Sequence, residues 1–575
     1  MSTAKRVRRI VARTRLSLAA VLLAVALPAC ATLRDGAASQ QAGGTVTVQL
    51  LAINDLHGHL EPPSGSIGRI NAVEAGGVEY LATHLKNAVA AEPHSIIVGA
   101  GDLVGASPMT SSIFHDEPTI EVLNAIGLAV TAAGNHEFDE GYQELLRLQR
   151  GGCHPKDGCQ DGDPFDGARF EYLSANVVRK DNGASLLPAA TIRTVGGVKI
   201  GFIGATTRST PQIVPASVGR DLTFLDEAVT ANAQAAELKR QGVQAIVLLI
   251  HEGLRQSDGG AEPDPNGCAG PNGGLESIVS RLTDDIAVVI SGHSHSFYNC
   301  RIGTHLVTGA SSNGRMMTRV RMEVDGATGR LVRASAVNEI VTRDVSKDPA
   351  TSRIVSKYAA LVERTAGVVV GSVTGNLLVA WNRAGESALG SVVADAQLAA
   401  TRAEDRGGAV VAFMNRGGLR ADIMTSPPAS VDRPGPVTYR ELHNVQPFGN
   451  LLVTCTMTGD MIKRLLEQQF DNPRPGSAEM LQVSSGFTYQ YRLAASPGAR
   501  VDAESIRLDG RRIAPSDRIR VSVSDFLMGG GDAFTVFAES TDRVAVGADL
   551  EALVEYFKTR SPIASPVQNR IVRTD

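Results

Sequence analysis

The chain has 575 residues, 43% of them hydrophobic and 20% charged, with a formal charge of −4. Those proportions are ordinary for globular protein, and the length predicts more than one domain. With no surplus of cations to neutralise phosphates, the composition excludes a generic binder of nucleic-acid polymers, and there is no Gln/Asn tract, heptad run or internal repeat.

The first element is a targeting pattern. Residues 1–15 carry Lys5, Arg6, Arg8, Arg9, Arg13 and Arg15 and no acid, and "LSLAAVLLAVAL" (16–27) and "PACAT" follow. Charged, apolar and small-residue segments in that order predict a secretory signal over 1–29, and the apolar run is too short to span a membrane comfortably. An amphipathic or buried helix is the other reading. "LPAC", ending at Cys30, is similar to a bacterial lipoprotein box, with Leu27 and Ala29 in place and Pro28 a departure. The expected product is exported: periplasmic, or attached to the outer membrane through a lipid on Cys30. Losing residues 1–29 removes six cations and no acid, moving the formal charge from −4 to −10. Residues 30–44 read as a Gly/Ala/Ser/Gln-rich tether.

From 45 to 345, short apolar runs alternate with helical patterns. "VTVQLLAI", "SIIVGAG", "LAVTAAG", "AIVLLI" and "IAVVIS" read as strands, and "GVEYLATHLKNAVAAE" and "DEAVTANAQAAELKRQG" as helices. This alternation predicts an α/β layered domain. In an oxidising compartment Cys153 pairs with Cys159 and Cys268 with Cys300, and Cys455 is a buried free thiol. A zinc site from Cys153, His154 and Cys159 is the alternative use of that loop. "SKDPATSRIVSKYAALVERTAG" predicts a linker helix and hinge over 346–368. A second α/β region, 369–575, contains "AVVAFMN", "GDMIKRLLEQQF", "SGFTYQYRL", "RIRVSVSDFL" and "LEALVEYF".

Five apolar runs end in groups with metal-ligand chemistry: Asp55 and His57; Asp102; Asn135, His136 and Asp139; His251; His293 and His295. Open α/β sheets build sites beyond the carboxyl ends of their strands. Each signal alone is weak, since a lone histidine after a strand is usually a hydrogen-bonded loop residue. Together, so many polar groups require an ion to satisfy them. Two Asp, an Asn and four His among them make seven ligating groups, too many for one tetrahedral ion and suited to two.

In this order, "DLHGH", "GDLVGASP", "GNHEFD", "HEG" and "GHSH" resemble the calcineurin-type metallophosphoesterase signature, in the variant of the bacterial 5′-nucleotidase/UDP-sugar hydrolases. The resemblance runs from about 45 to 570. It implies an αββα-type catalytic domain, a helical linker and a C-terminal α/β substrate-binding domain. It also implies two divalent ions, zinc first, with manganese, cobalt or calcium as alternatives. Asp55, His57 and His295 would hold one ion, Asn135, His251 and His293 the other, and Asp102 would bridge them. A metal-bridging hydroxide would attack phosphorus. His136 would stabilise developing charge, and Asp139 would orient its imidazole. Glu137 is read as a helix-opening acid.

The resemblance also implies a nucleotide grip in the second domain. Phe448 in "VQPFGN" and Phe526 in "SDFLMGGGDAF" would sandwich the base. Asp532 would accept from ribose hydroxyls, while Asn415 and Arg420 of "MNRGGLRAD" would hold base or phosphate. Arg383 is a further phosphate-side candidate. Singly, either phenylalanine reads as core. The expected activity is dephosphorylation of 5′-nucleotides, extending to nucleoside di- and triphosphates and UDP-sugars. The rivals are a 2′,3′-cyclic-nucleotide phosphodiesterase with 3′-nucleotidase activity and a non-catalytic nucleotide-binding lipoprotein.

Overall fold

Strand β1 (Thr45–Ile53) is buried on both sides from Val48 onward, and from Leu50 to Ile53 it is apolar on both. Side chains alternate across a strand, so Val48, Leu50 and Ala52 share one face and Leu51 and Ile53 the other. The first set packs against Val247, Leu249, Val288 and Ile290 of a facing sheet. The second packs against helix residues including Leu81 and Leu85. The computed structural model describes residues 44–575 apart from 216–217, 258–262, 426 and 473–477. The expected signal peptide (1–29), Cys30 and the tether as far as residue 43 lie outside the described residues. No described helix is long and apolar enough to cross a membrane.

Strands β1, β2 (Ser95–Ala100), β3 (Leu128–Ala132) and β4 (Glu171–Leu173) lie parallel in one sheet. The second sheet takes β5 (Ala190–Val195), β6 (Val198–Thr206), β7 (Ala245–His251), β8 (Ile286–Ser291), β9 (Phe297–Ile302) and β10 (His305–Ala310) in the order β9-β10-β8-β7-β6-β5. The chain then returns through β11 (Met316–Asp325) and β12 (Leu331–Ile340), which complete the first sheet as β12-β11-β1-β2-β3-β4. Helices α1 (Val78–Ala91) and α2 (Glu117–Ile126) cover the outer face of the first sheet, and α3 (Glu227–Arg240) that of the second. The layers are therefore αββα, with an apolar cluster between the sheets.

The linker pattern forms α4 (Pro349–Ala366). Its start follows from Asp348, which accepts from Ala350 N at 3.1 Å and Thr351 N at 3.0 Å, with Pro349 at the first helical position. One face of α4 buries Tyr358, Val362 and Ala366 against Met109 and Phe114, and Tyr439 from the C-terminal region joins that cluster. Arg440 crosses the same seam to Glu61 at 3.0 Å and Glu363 at 2.7 Å.

The C-terminal region is built on β13 (Val411–Met414), β14 (Leu451–Thr458), β15 (Gln482–Val483), β16 (Arg518–Ser524) and β17 (Thr541–Ala548), ordered β15-β13-β16-β14-β17. Helix α5 (Ala388–Thr401) meets one side of this sheet at Ala412 and Met414. Helix α6 (Gly459–Gln468) meets the other at Val411, Phe413 and Val521. Both expected disulfides are present, Cys153–Cys159 and Cys268–Cys300, and Cys455 is buried and free. The bridge between Cys153 and Cys159 removes both sulfurs from the alternative zinc site considered for that loop.

Candidate active site

The carboxyl ends of β1, β2, β3, β7 and β8 meet at one rim. The loops there hold an unusual backbone. Asp55, His57, Asp102, His293 and His295 all have positive φ, between 49° and 70°. Non-glycine residues enter the left-handed region at a cost of about 1–2 kcal/mol each, and they persist where surrounding contacts over-determine them. The strain turns five ligand-type side chains inward together.

Their atoms converge in two groups. In one, His57 Nε2 lies 3.0 Å from His295 Nε2 and 3.9 Å from Asp55 Oδ1, and His295 Nε2 lies 3.4 Å from Asp55 Oδ1. In the other, His251 Nε2 lies 2.9 Å from Asp102 Oδ2, and His293 groups with them. Asn135 Oδ1 is 3.0 Å from His293 Nδ1. Asp102 Oδ2 is also 3.8 Å from His57 Nε2, so this carboxylate stands between the groups. All seven residues expected as metal ligands are thus brought together.

Hydrogen bonds set the tautomers. His57 Nδ1 donates to Gly105 O at 3.0 Å and His251 Nδ1 to Ala100 O at 2.8 Å. Each ring therefore turns its Nε2 lone pair toward the shared space. His251 Nε2 is buried, approaches the Asp102 carboxylate and has no hydrogen-bonding geometry to it. Burial alone would lower the His251 pKa, but Asp102 and then Asp55 outweigh it and push the imidazole up to about 10. Burial, partly offset by His251, holds Asp55 up at about 7. The convergence of imidazole nitrogens on two buried carboxylates is the mark of a cation site. Four imidazoles, two carboxylates and an amide oxygen fit borderline divalent ions. Calcineurin-like phosphoesterases use such ions, and the residues present fit them.

Close approach requires glycine at Gly134. A methyl there would lie 2.2 Å from Asp102 Oδ1. His136 N donates to the same Oδ1 at 2.8 Å, and His136 Nδ1 is 2.8 Å from Asp139 Oδ2. Burial works against protonation of His136, but Asp139 and Asp102 carry its pKa above the usual value.

The local reading of Glu137 needs correction. Glu137 does lie in the first turn of a short 3-10 helix (His136–Phe138), but its carboxylate turns back into the rim. It accepts from Asp102 N at 2.9 Å, Leu103 N at 2.9 Å and Gly134 N at 2.6 Å. Three backbone donors on one buried carboxylate fix the loop that carries Asp102. Asn54 was also missed. Its amide donates to Asp55 Oδ2 at 2.6 Å and Ser311 O at 2.7 Å, orienting the Asp55 carboxylate. A polar residue at the end of a buried strand was the available signal.

The C-terminal region closes over this rim. Arg420, half-buried, brings a guanidinium nitrogen to 3.4 Å from His57 Nε2. The Phe448 ring stacks on His136 with centroids 5.8 Å apart, and the Arg420 guanidinium lies 5.8 Å from the same ring. Asn415 donates to Asp532 Oδ2 at 2.7 Å, and Asp532 has φ 52°. Phe526 packs beside Gly531 and the C-terminal core. Arg383 is not brought to the rim; it is exposed and donates to the carbonyl of Asp575 at 2.8 Å.

A layered domain with metal-type ligands at its strand ends, covered by a second α/β region, defines a metallophosphoesterase. Residues 48–297 match the calcineurin-like phosphoesterase model, and residues 369–539 match the C-terminal domain of 5′-nucleotidases. The chain belongs to the 5′-nucleotidase family of metallophosphoesterases and is a phosphoester hydrolase. It is 33% identical to endonuclease YhcR of Bacillus subtilis over 92% of this chain, spanning 41% of that protein's length. It is 32% identical to cell wall protein Lmo0130 of Listeria monocytogenes over 91% of this chain and 68% of that one. The structure superposes on a 5′-nucleotidase precursor from Thermus thermophilus with TM-score 0.73 and 26% identity, covering 92% of this chain and 100% of the other.

Glu137→Gln places an amide NH₂ against backbone N–H groups and leaves a buried donor unmet, a loss of about 1–3 kcal/mol. The expected outcome is a lower melting temperature in calorimetry together with reduced bound metal per chain. Wild-type values for both would remove Glu137 from its supporting role.

Proposed function

We propose that the chain hydrolyses 5′-nucleotides to nucleoside and phosphate outside the cytoplasm, with nucleoside di- and triphosphates and UDP-sugars as further substrates. One observation carries the reading: Arg420 and Phe448, on the C-terminal region, stand directly against His57 and His136 of the phosphoesterase rim. Ester-cleaving groups and a planar, cationic grip therefore face the same space. The N-terminal signal pattern and the two disulfides support an exported protein.

Asp55, His57 and His295 would hold one divalent ion and Asn135, His251 and His293 another, with Asp102 shared. Zinc suits this set first, and manganese, cobalt or calcium follow. Bound there, such ions supply a water of lowered pKa and neutralise phosphoryl oxygens. The chain's own groups do the rest. Arg420 grips phosphate with its forked donors. The Asp139 carboxylate keeps the proton on His136 Nδ1, so that His136 Nε2 faces the transferring group and stabilises its charge. Phe448 and Phe526 take the base by stacking, which tolerates purines and pyrimidines alike. Asp532, oriented by Asn415, accepts from the ribose hydroxyls.

A substrate panel tests the activity. Phosphate release from AMP should exceed release from 3′-AMP and from cyclic 2′,3′-AMP. Dominant cleavage of the cyclic ester would replace this reading with the phosphodiesterase one, and turnover of none would leave a binding protein. His136→Ala should lower kcat about 10²–10⁴-fold with bound metal unchanged. An unaltered kcat would exclude His136 from the chemistry.

Because phosphate and base are gripped by different regions, substrate entry calls for motion about the 346–368 linker. Small-angle scattering should show a smaller radius of gyration with a non-hydrolysable nucleotide than without it. Identical profiles would retire the hinge.

A further inference from the structure

Away from the strand-end rim, three segments meet at the protein surface. His115 precedes α2 in a left-handed kink, with φ 50° at His115 and 60° at Asp116. The kink has a cause. The Asp116 carboxylate turns inward, accepting from Gly105 N at 2.9 Å and Ser111 Oγ at 2.6 Å, and this carries His115 outward. There His115 Nδ1 is 2.7 Å from Glu140 Oε2, and Nε2 is 2.9 Å from Asp157 Oδ2. His154 stacks on His115 with centroids 3.7 Å apart, and its Nδ1 is 3.2 Å from the same Asp157 oxygen.

We propose that His115, His154 and Asp157 form a further binding site for a divalent transition-metal ion of the zinc class, with Glu140 orienting His115. Two imidazole nitrogens and one carboxylate oxygen are a zinc-type set, and water completes the coordination at an exposed position. Glu140 occupies the far nitrogen of His115, as a carboxylate does behind a metal-bound histidine, and so commits Nε2 to the ion. Glu144, also near His115, is held by Arg147 at 2.6 Å and is not a ligand. The Glu140 hydrogen bond comes first among the influences that push His115 up to about 9. His154 and Asp157 lie in the loop closed by Cys153–Cys159, so much of the ordering entropy of these two ligands is already lost before binding. The stacked rings describe the metal-free arrangement. Ligand atoms of His115, His154 and Asp157 already lie within 4.8 Å of one another.

The site has a mechanical connection to the phosphoesterase rim. Glu140 follows Asp139, whose carboxylate lies 2.8 Å from His136 Nδ1. An ion here would tie the disulfide loop to the turn that bears Asp139, making it a positioning site.

The test counts metal. Full-length protein is stripped with chelator, reloaded with zinc, desalted and measured for zinc per chain. Wild type should hold one equivalent more than His154→Ala and than Asp157→Asn. Because the result is a difference, it holds whatever the rim binds, and a failure of the dimetal reading would appear separately as an altered count common to all variants. Lys156→Ala, in the same loop without a ligand, should retain the wild-type count. Equal counts in wild type, His154→Ala and Asp157→Asn overturn the proposal, as does loss of the equivalent in Lys156→Ala.

Discussion

Negative charge held without water at the ends of parallel strands is the constraint on which the rest of this structure depends. Asp55 and Asp102 are essentially inaccessible to solvent, and both meet imidazoles rather than guanidinium or ammonium groups. Burial of carboxylates is strongly unfavourable unless they are paired. The chain adds to that cost by placing five residues of the rim in the left-handed region. What sustains such a rim is the inter-sheet core beneath it, where β1, β2, β7 and β8 pack apolar side chains with no polar interruption. A divalent cation bound there would convert an unfavourable cluster into a coordination shell. Site and fold are linked in this way: the layers are stable enough to hold a rim that is not stable alone.

A rim that binds divalent cations would be chemically indiscriminate, because such ions recognise phosphoryl oxygen and not what is attached to it. Discrimination has to come from groups that read the remainder of the substrate. On the proposed function they lie on separate elements, beyond α4, where Arg420 and Phe448 stand against the rim. The seam between the two regions is mixed in character. An apolar cluster around Tyr358 is flanked by the Arg440 pairs to Glu61 and Glu363. Partly exposed ion pairs contribute little to stability, so they guide alignment more than they fix it. That combination suits surfaces that separate and meet again.

Most of the rim was legible in the sequence because the same pattern repeated five times: an apolar run that ends in a ligand-type residue, with a glycine between them at Gly101, Gly134 and Gly292. The alternation of strand and helix patterns likewise reads as α/β layers, and the family resemblance implied their αββα order. Legibility failed where a side chain acts far from its own segment. Glu137 opens a helical turn, and read locally that is a complete explanation; its three backbone partners belong to the Asp102 loop and to Gly134. Asn54 precedes a ligand and looks like strand-end polarity until Ser311 is placed beside it. Arg383 failed in the opposite direction. A basic residue in a plausible motif has no fixed address, and here the carboxyl-terminal segment claims it.

The Cys153–Cys159 loop shows how a correct pairing can redirect a metal argument without ending it. Read alone, the loop offers two thiols and an imidazole, and the disulfide cancels both thiols. The same bond turns the loop from a source of ligands into a frame for them. It leaves His154 and Asp157 on a closed turn facing His115, a residue that no spacing rule connects with them. The left-handed kink at His115 and Asp116 supplies the remaining step, since one carboxylate anchored inward obliges its neighbour to point outward. The outer cluster is therefore a consequence of how the rim is anchored: the backbone conformation that secures Gly105 beneath His57 also presents His115 to the disulfide loop.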